Sequence, residues 1–144
     1  VDFSATTDAS GERDIASIEY DTYMLTSTDG YRIAYACPEV PLVVAAGVTT
    51  KLDLVLISLA GNSVRVRVTA DTGEALPGAA VTLSRPGQSQ TLQTDSCGQV
   101  FFDTGLSTNT DYTVEVTREG YVTETVTPVE VGGEEVLSVV VSAS

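Results

Sequence analysis

The sequence predicts an all-β protein made of two tandem antiparallel β-sandwich modules, the first lacking its N-terminal strands. Three observations carry this. Val64, Val66 and Val68 alternate with Arg65 and Arg67, so one face is apolar and the other charged, as in a half-buried strand. Further short alternating runs follow, joined by links rich in Gly, Asp, Asn, Ser and Pro, which is the spacing of a sandwich. Val, Thr and Tyr dominate, residues that fit pleated surfaces, and nothing supports a helix.

Self-similarity divides the chain. Thr7-Asp8-Ala9-Ser10-Gly11-Glu12 parallels Thr94-Asp95-Ser96-Cys97-Gly98-Gln99. Tyr23 and the following Gly30-Tyr31 parallel Tyr112 and Gly120-Tyr121. Each Gly-Tyr precedes a run bearing Pro and Val, residues 38–44 and 128–131, then Gly47 or Gly132-Gly133, then a final apolar alternation. The order and spacing of these features set the expected domains at 1–60, a partial repeat, and 61–144, a complete one.

The elements follow in order. In the complete copy, strands are expected at 64–69, 79–84, 90–94, 100–103, 111–118, 122–131 and 135–142. Asp71-Thr72-Gly73 and Leu76-Pro77-Gly78 are turn signals, because Asp bonds its own backbone and Gly accepts positive φ. Gly11 and Gly98 follow Asp-x-x, where a hairpin needs a residue tolerant of left-handed φ. Tyr23 and Tyr112 begin strands and offer a hydroxyl that can bond backbone across a corner. The expected core is Val64, Val66, Val68, Val81, Leu83, Val100, Phe102, Leu106, Val114 and Val116, each worth about 1.5–3 kcal/mol when buried.

In the partial copy, Val1 aligns near Gln88, and strands are expected at 3–7, 14–18, 21–28, 32–44 and 48–57. Leu52, Leu54 and Leu56 should face inward, with Lys51 and Asp53 outward. A sandwich short of two strands exposes apolar surface and open edges that invite pairing. The remaining strands lie upstream, the fold closes another way, or a neighbouring subunit supplies them. The opening Val1-Asp2-Phe3 fits a processed product, a truncated form or a fragment of something larger.

The pattern Val66, Val68, Asp71, Gly73, Leu76-Pro77-Gly78-Ala79, Val81 and Leu83, then Thr94-Asp95, Gly98, Val100 and Phe102, then Tyr112, Val114, Val116 and Gly120-Tyr121, resembles the carboxypeptidase regulatory-like domain. The resemblance implies a transthyretin-like or Ig-like seven-stranded sandwich. It says little of function, since such modules are appended to peptidases, transporters, adhesins and surface proteins. Tandem copies containing Thr94–Phe102 are also similar to the exported portions of bacterial prepilin-type and cell-surface proteins, which begin with a hydrophobic helix that this chain does not carry.

Composition narrows the chemistry. Asp and Glu total 20 against 7 Lys and Arg, a net charge of −13, which opposes binding of nucleic acid through a basic patch. The plain reading of the acidity is solubility. No apolar run approaches a membrane span. With no His and no Ser-x-x-Lys, a hydrolase has no base, and no cofactor is expected.

Four further candidates remain. Cys37 and Cys97 sit at non-equivalent positions, and an even count in an apparently exported protein suggests a disulfide between the copies; separate thiols or an intermolecular bond are the alternatives. Lys51 is the sole lysine, so an internal isopeptide bond finds little support. Asp8, Glu12, Asp14, Asp21 and Asp29 could supply oxygens to calcium, but no Asp-x-Asp-x-Asp-Gly array appears and turn-forming Asp accounts for them. Tyr20, Tyr23, Tyr31, Tyr35, Tyr112 and Tyr121 could line a sugar-binding face or fill core and corner positions. The expectation is a non-enzymatic extracellular module of a bacterial surface or filament protein, associating with itself or with neighbouring subunits through sheet edges. The alternative is a carbohydrate- or protein-binding accessory module of a larger secreted enzyme or uptake system, with a glycan or protein as ligand.

Overall fold

The computed structural model describes residues 2–28, 30–58 and 61–144. Val1, Asp29 and the expected domain boundary at 59–60 lie outside the described residues. Eleven strands and no helix appear among the described residues.

Seven strands build the C-terminal half: β5 (Ser63–Ala70), β6 (Ala80–Arg85), β7 (Gln88–Gln93), β8 (Gln99–Phe102), β9 (Asn109–Thr117), β10 (Glu124–Val131) and β11 (Glu134–Val141). They form a four-stranded sheet in the order β10-β9-β6-β7 and a three-stranded sheet in the order β11-β5-β8. The period-two alternation sends Val64, Val66 and Val68 of β5, Val100 and Phe102 of β8, and Val139 and Val141 of β11 into one side of the core. Val81, Leu83, Tyr112, Val114, Val116, Val129 and Val131 meet them from the other sheet. Of the expected core residues, all are buried except Leu106, which is partly buried and packs against the cluster. The result is a β-sandwich.

One pairing differs from the antiparallel expectation. β11 runs parallel to β5, from Glu134↔Ser63 to Val141↔Ala70. A parallel pair needs a long crossover, and here β6 to β10 supply it. The corner expected of Tyr112 is present: its buried hydroxyl accepts the Ser107 amide at 3.1 Å.

The N-terminal half contains four shorter strands in two pairs. β1 (Thr22–Tyr23) pairs with β3 (Leu42–Val43), and β2 (Tyr31–Cys37) pairs with β4 (Asp53–Ser58), both antiparallel. The expected strands at 3–7 and 14–18 are irregular, and that at 21–28 shortens to two residues. A strand persists only where a partner completes its hydrogen bonds: among the described residues no strand pairs with 3–7 or 14–18, and β3 pairs with only Thr22 and Tyr23 of 21–28. The expected strand at 32–44 is split into β2 and β3 because Pro38 and Pro41 have no N–H to give a ladder. The Tyr23 hydroxyl donates to the Glu19 carbonyl at 2.8 Å, as its corner role requires. The facing of β4 is opposite to expectation: Val55 and Ile57 are half-buried, whereas Leu54 and Leu56 are 39% and 49% exposed. β4 turns its other face toward its neighbours, and Leu54 and Leu56 lie on its more exposed side.

Candidate interaction surface

Two turns of like sequence organise the surface. In the β7–β8 turn, Asp95 Oδ1 accepts the amides of Cys97 at 2.9 Å and Gln99 at 3.1 Å. The Asp95 amide donates to the Gln99 carbonyl at 3.0 Å, and the Gly98 amide to the Asp95 carbonyl at 2.9 Å. Near the N-terminus, Asp8 Oδ1 accepts the amides of Ser10 at 2.8 Å and Glu12 at 3.0 Å. The Asp8 amide donates to the Glu12 carbonyl at 2.9 Å, and the Gly11 amide to the Asp8 carbonyl at 3.1 Å. The two turns share all four bonds, and Gly11 and Gly98 take φ of +80° and +73°. The bond from the Ser10 hydroxyl, followed by those from the Glu12 and Ser10 amides, holds the Asp8 carboxyl below its ordinary range.

Their surroundings differ. At Gly98 an added Cβ would lie 2.6 Å from the Val68 carbonyl and 2.8 Å from the Leu76 amide. Thr94, just before this turn, is buried; its hydroxyl accepts the Ala79 amide at 2.9 Å and donates to the Leu76 carbonyl at 2.6 Å. β5 and the β5–β6 connection therefore seat the whole turn. At Gly11 an added Cβ meets nothing within 4 Å, and Thr7, which occupies Thr94's place, is exposed.

The halves meet on the outer face of the three-stranded sheet. The alternation that buries the β5 valines points Arg65 and Arg67 outward, toward a segment that carries nine Asp and Glu against three Lys and Arg over residues 1–58. Arg67 Nη1 lies 3.5 Å from Glu39 Oε1, and Arg32 pairs with Glu134. Arg65 donates to Gln99 Oε1 at 2.9 Å, and its guanidinium lies 5.9 Å from the centre of the Tyr35 ring. The Tyr35 hydroxyl donates to Asp95 Oδ2. Burial, followed by the hydrogen bond and charge of Asp95, pushes the Tyr35 phenol far above its ordinary value of 10.0 and keeps it a donor. Cys37, at the end of β2, is joined to Cys97 in a disulfide with Cα atoms 6.0 Å apart. Tyr35, Arg65 and Asp95 were not singled out as a group from sequence; two arginines on one strand face opposite an acidic segment were the available signal.

The other candidates separate. Lys51 Nζ sits at the surface, 3.4 Å from Asp53 Oδ1, without the burial that an isopeptide bond needs. Asp8 and Asp21 accept nearby backbone amides rather than pointing at a common centre, the Asp21 partner being Thr22 at 2.7 Å. Among the described residues, Cys37, Asp95 and Cys97 alone bring three metal-capable atoms together, and both sulfurs are committed to the disulfide. The tyrosines do not share a face: Tyr112 and Tyr121 belong to the module core, Tyr35 to the junction, and Tyr20 and Tyr31 to exposed positions.

The family model of the carboxypeptidase regulatory-like domain matches residues 63–143, the span of the sandwich. The chain belongs to this family. Carboxypeptidase regulatory-like domains are non-catalytic β-sandwich modules, and residues 63–143 here have that two-sheet architecture. Among curated proteins none matches the sequence significantly. Among solved structures, the chain is similar to the Bacillus anthracis TIE protein, with a TM-score of 0.47 and 20% identity over 65% of this chain and 19% of that one. It is also similar to chains of two interface mutants of a type II cohesin–X-dockerin complex from Acetivibrio cellulolyticus. These have TM-scores of 0.46 and 0.47 and identities of 24% and 22%, each over 58% of both chains. The chain thus spans about a fifth of the first structure and little over half of the others.

Proposed function

We propose that this carboxypeptidase regulatory-like chain is a non-enzymatic, extracellular assembly module of a bacterial surface or filament protein. The observation that carries the reading is the junction. A segment of open-edged strands is clipped by Cys37–Cys97 to the outer face of a complete sandwich, and presents its remaining apolar residues outward. A disulfide of this kind suits an oxidising, exported setting. The exposed set in the N-terminal half includes Tyr31, Val43, Val48, Leu54 and Leu56, more apolar surface than a solitary module gains from exposing.

Light scattering across a wide concentration range tests this. The expected result is a molar mass that rises with concentration above 15.1 kDa. A mass that stays at the monomer value at the highest soluble concentration overturns the assembly reading.

A further inference from the structure

We propose that the free edge of β11 is a self-association site, at which a second copy of this chain adds its own β11 antiparallel. This rests on the assembly reading and names the edge that carries it. In the three-stranded sheet β11 is an outer strand, with β5 on one side only. The Ser63 amide donates to the Gly133 carbonyl at 2.8 Å and the Asp71 amide to the Val141 carbonyl at 3.0 Å. The odd-numbered residues from Gly133 to Val141 therefore turn their backbone groups toward β5. The Ser142 carbonyl points the other way and accepts the Val122 amide at 2.8 Å. Between these ends, alternation directs the amides and carbonyls of Val136, Ser138 and Val140 to the open edge.

The other outer strands of the sandwich are blunted, and β11 is not. β10 carries Pro128 and register shifts, β7 is Gln-Ser-Gln-Thr-Leu-Gln, and β8 is only 4 residues long. β11 pairs with β5 along its whole length without a shift. Its Val136 and Val140 side chains are 49% and 55% exposed. Val136 shares a rung and the outer face with Arg65, but the N-terminal segment that lies over Arg65 leaves Val136 uncovered.

The chemistry of the edge identifies the occupant. Val136-x-Ser138-x-Val140 reads the same in both directions. An antiparallel copy centred on Ser138 sets Val136 against the partner's Val140, and Ser138 against the partner's Ser138, with amides facing carbonyls throughout. The same register sets Glu134 and Glu135 against the partner's Ser142 and the partner's Val141, so no carboxylate of β11 faces another. In a chain of net charge −13, where most surfaces repel a second copy, this edge is uncharged where the two strands meet.

The test uses the full chain. Light scattering against concentration gives the dissociation constant of the parent and of Val136→Lys with Val140→Lys. The double substitution should raise it at least tenfold, because charge on an edge opposes strand addition. Both sites are exposed, so the thermal transition should stay in place as the folding control. Ser138→Cys supplies a second reading, since the chain has no free thiol of its own. A short bismaleimide should join two copies at least tenfold faster at position 138 than at Leu92→Cys, an exposed site on β7. An unchanged dissociation constant in the double variant, or equal cross-linking at the two sites, overturns the β11 edge. If the parent mass still rises with concentration, assembly stands and uses another surface. A parent mass fixed at the monomer value overturns both readings.

Discussion

The Val68 amide donates to the Gly98 carbonyl at 2.7 Å, while the Val68 carbonyl lies 2.6 Å from where a side chain at 98 would begin. Strand β5 and the Gly98 turn therefore fit only if residue 98 has no Cβ. Gly98→Ala should cost roughly 3 kcal/mol, since backbone must move and φ is positive. Gly11→Ala, in the same turn with open space around it, should cost only about 1 kcal/mol. Chemical denaturation of the two variants checks the contrast: the Gly98 variant should shift the main transition and the Gly11 variant should not.

Thr94 and Thr7 make a second matched pair. Thr94→Val leaves the buried Ala79 amide without its acceptor, and should destabilise the sandwich by about 2 kcal/mol. Thr7→Val touches an exposed hydroxyl and should stay within about 0.5 kcal/mol of the parent. Denaturation midpoints of both variants decide it.

The disulfide should protect the docking of the N-terminal half and leave the sandwich alone. No thiol should react in denaturant until reductant is added. Closing a loop with a separation of 60 residues corresponds to about 4 kcal/mol in the chain-entropy account. Reduction, or Cys37→Ser with Cys97→Ser, should raise amide exchange over β2 while β5 and β11 keep their protection. Thiol titration and exchange mass spectrometry measure the two effects.

Docking at the junction should fail in alkali. The folded Tyr35 phenol holds its proton above the ordinary value of 10.0 because burial and Asp95 oppose the phenolate. The native form therefore retains a proton that the unfolded form gives up, and its advantage is complete below pH 10. As pH rises past 10 the stability declines, and it is gone once the folded phenol ionises. Tyr35→Phe should flatten this alkaline decline, as read by exchange over β2 between pH 9 and the highest pH the sandwich tolerates.

The sandwich was legible because its alternation is strict. Val64, Val66 and Val68 of β5 and Val114 and Val116 of β9 could face only one way, and the structure buries them all. The direction of β11 was not legible, because alternation states which side is apolar and not which strand lies alongside. Leu54 and Leu56 show the limit of pattern reading: their spacing specifies an inward face, but the surface that would make that side an interior does not lie over them. The junction was half legible. Cys37 and Cys97 drew attention as a pair, whereas the Tyr35–Asp95 bond depends on a fold-back that no local signal encodes.

The parallel course of β11 beside β5 sets how the module bears load. The chain enters the sandwich at Ser63 and leaves β11 at Val141, which lies alongside Ala70 at the far end of β5. Entry and exit are thus at opposite poles, separated by roughly 25 Å of strand. With the Cys37–Cys97 disulfide closed, tension from the N-terminal side bypasses Ser63 and enters at Cys97; once it is reduced, tension pulls the two strands past one another, so every rung from Ser63↔Glu134 to Ala70↔Val141 is stressed together instead of one after another. A reduced sandwich threaded in this way resists extension as a lap joint does, whereas the disulfide moves the point of loading to the β7–β8 turn.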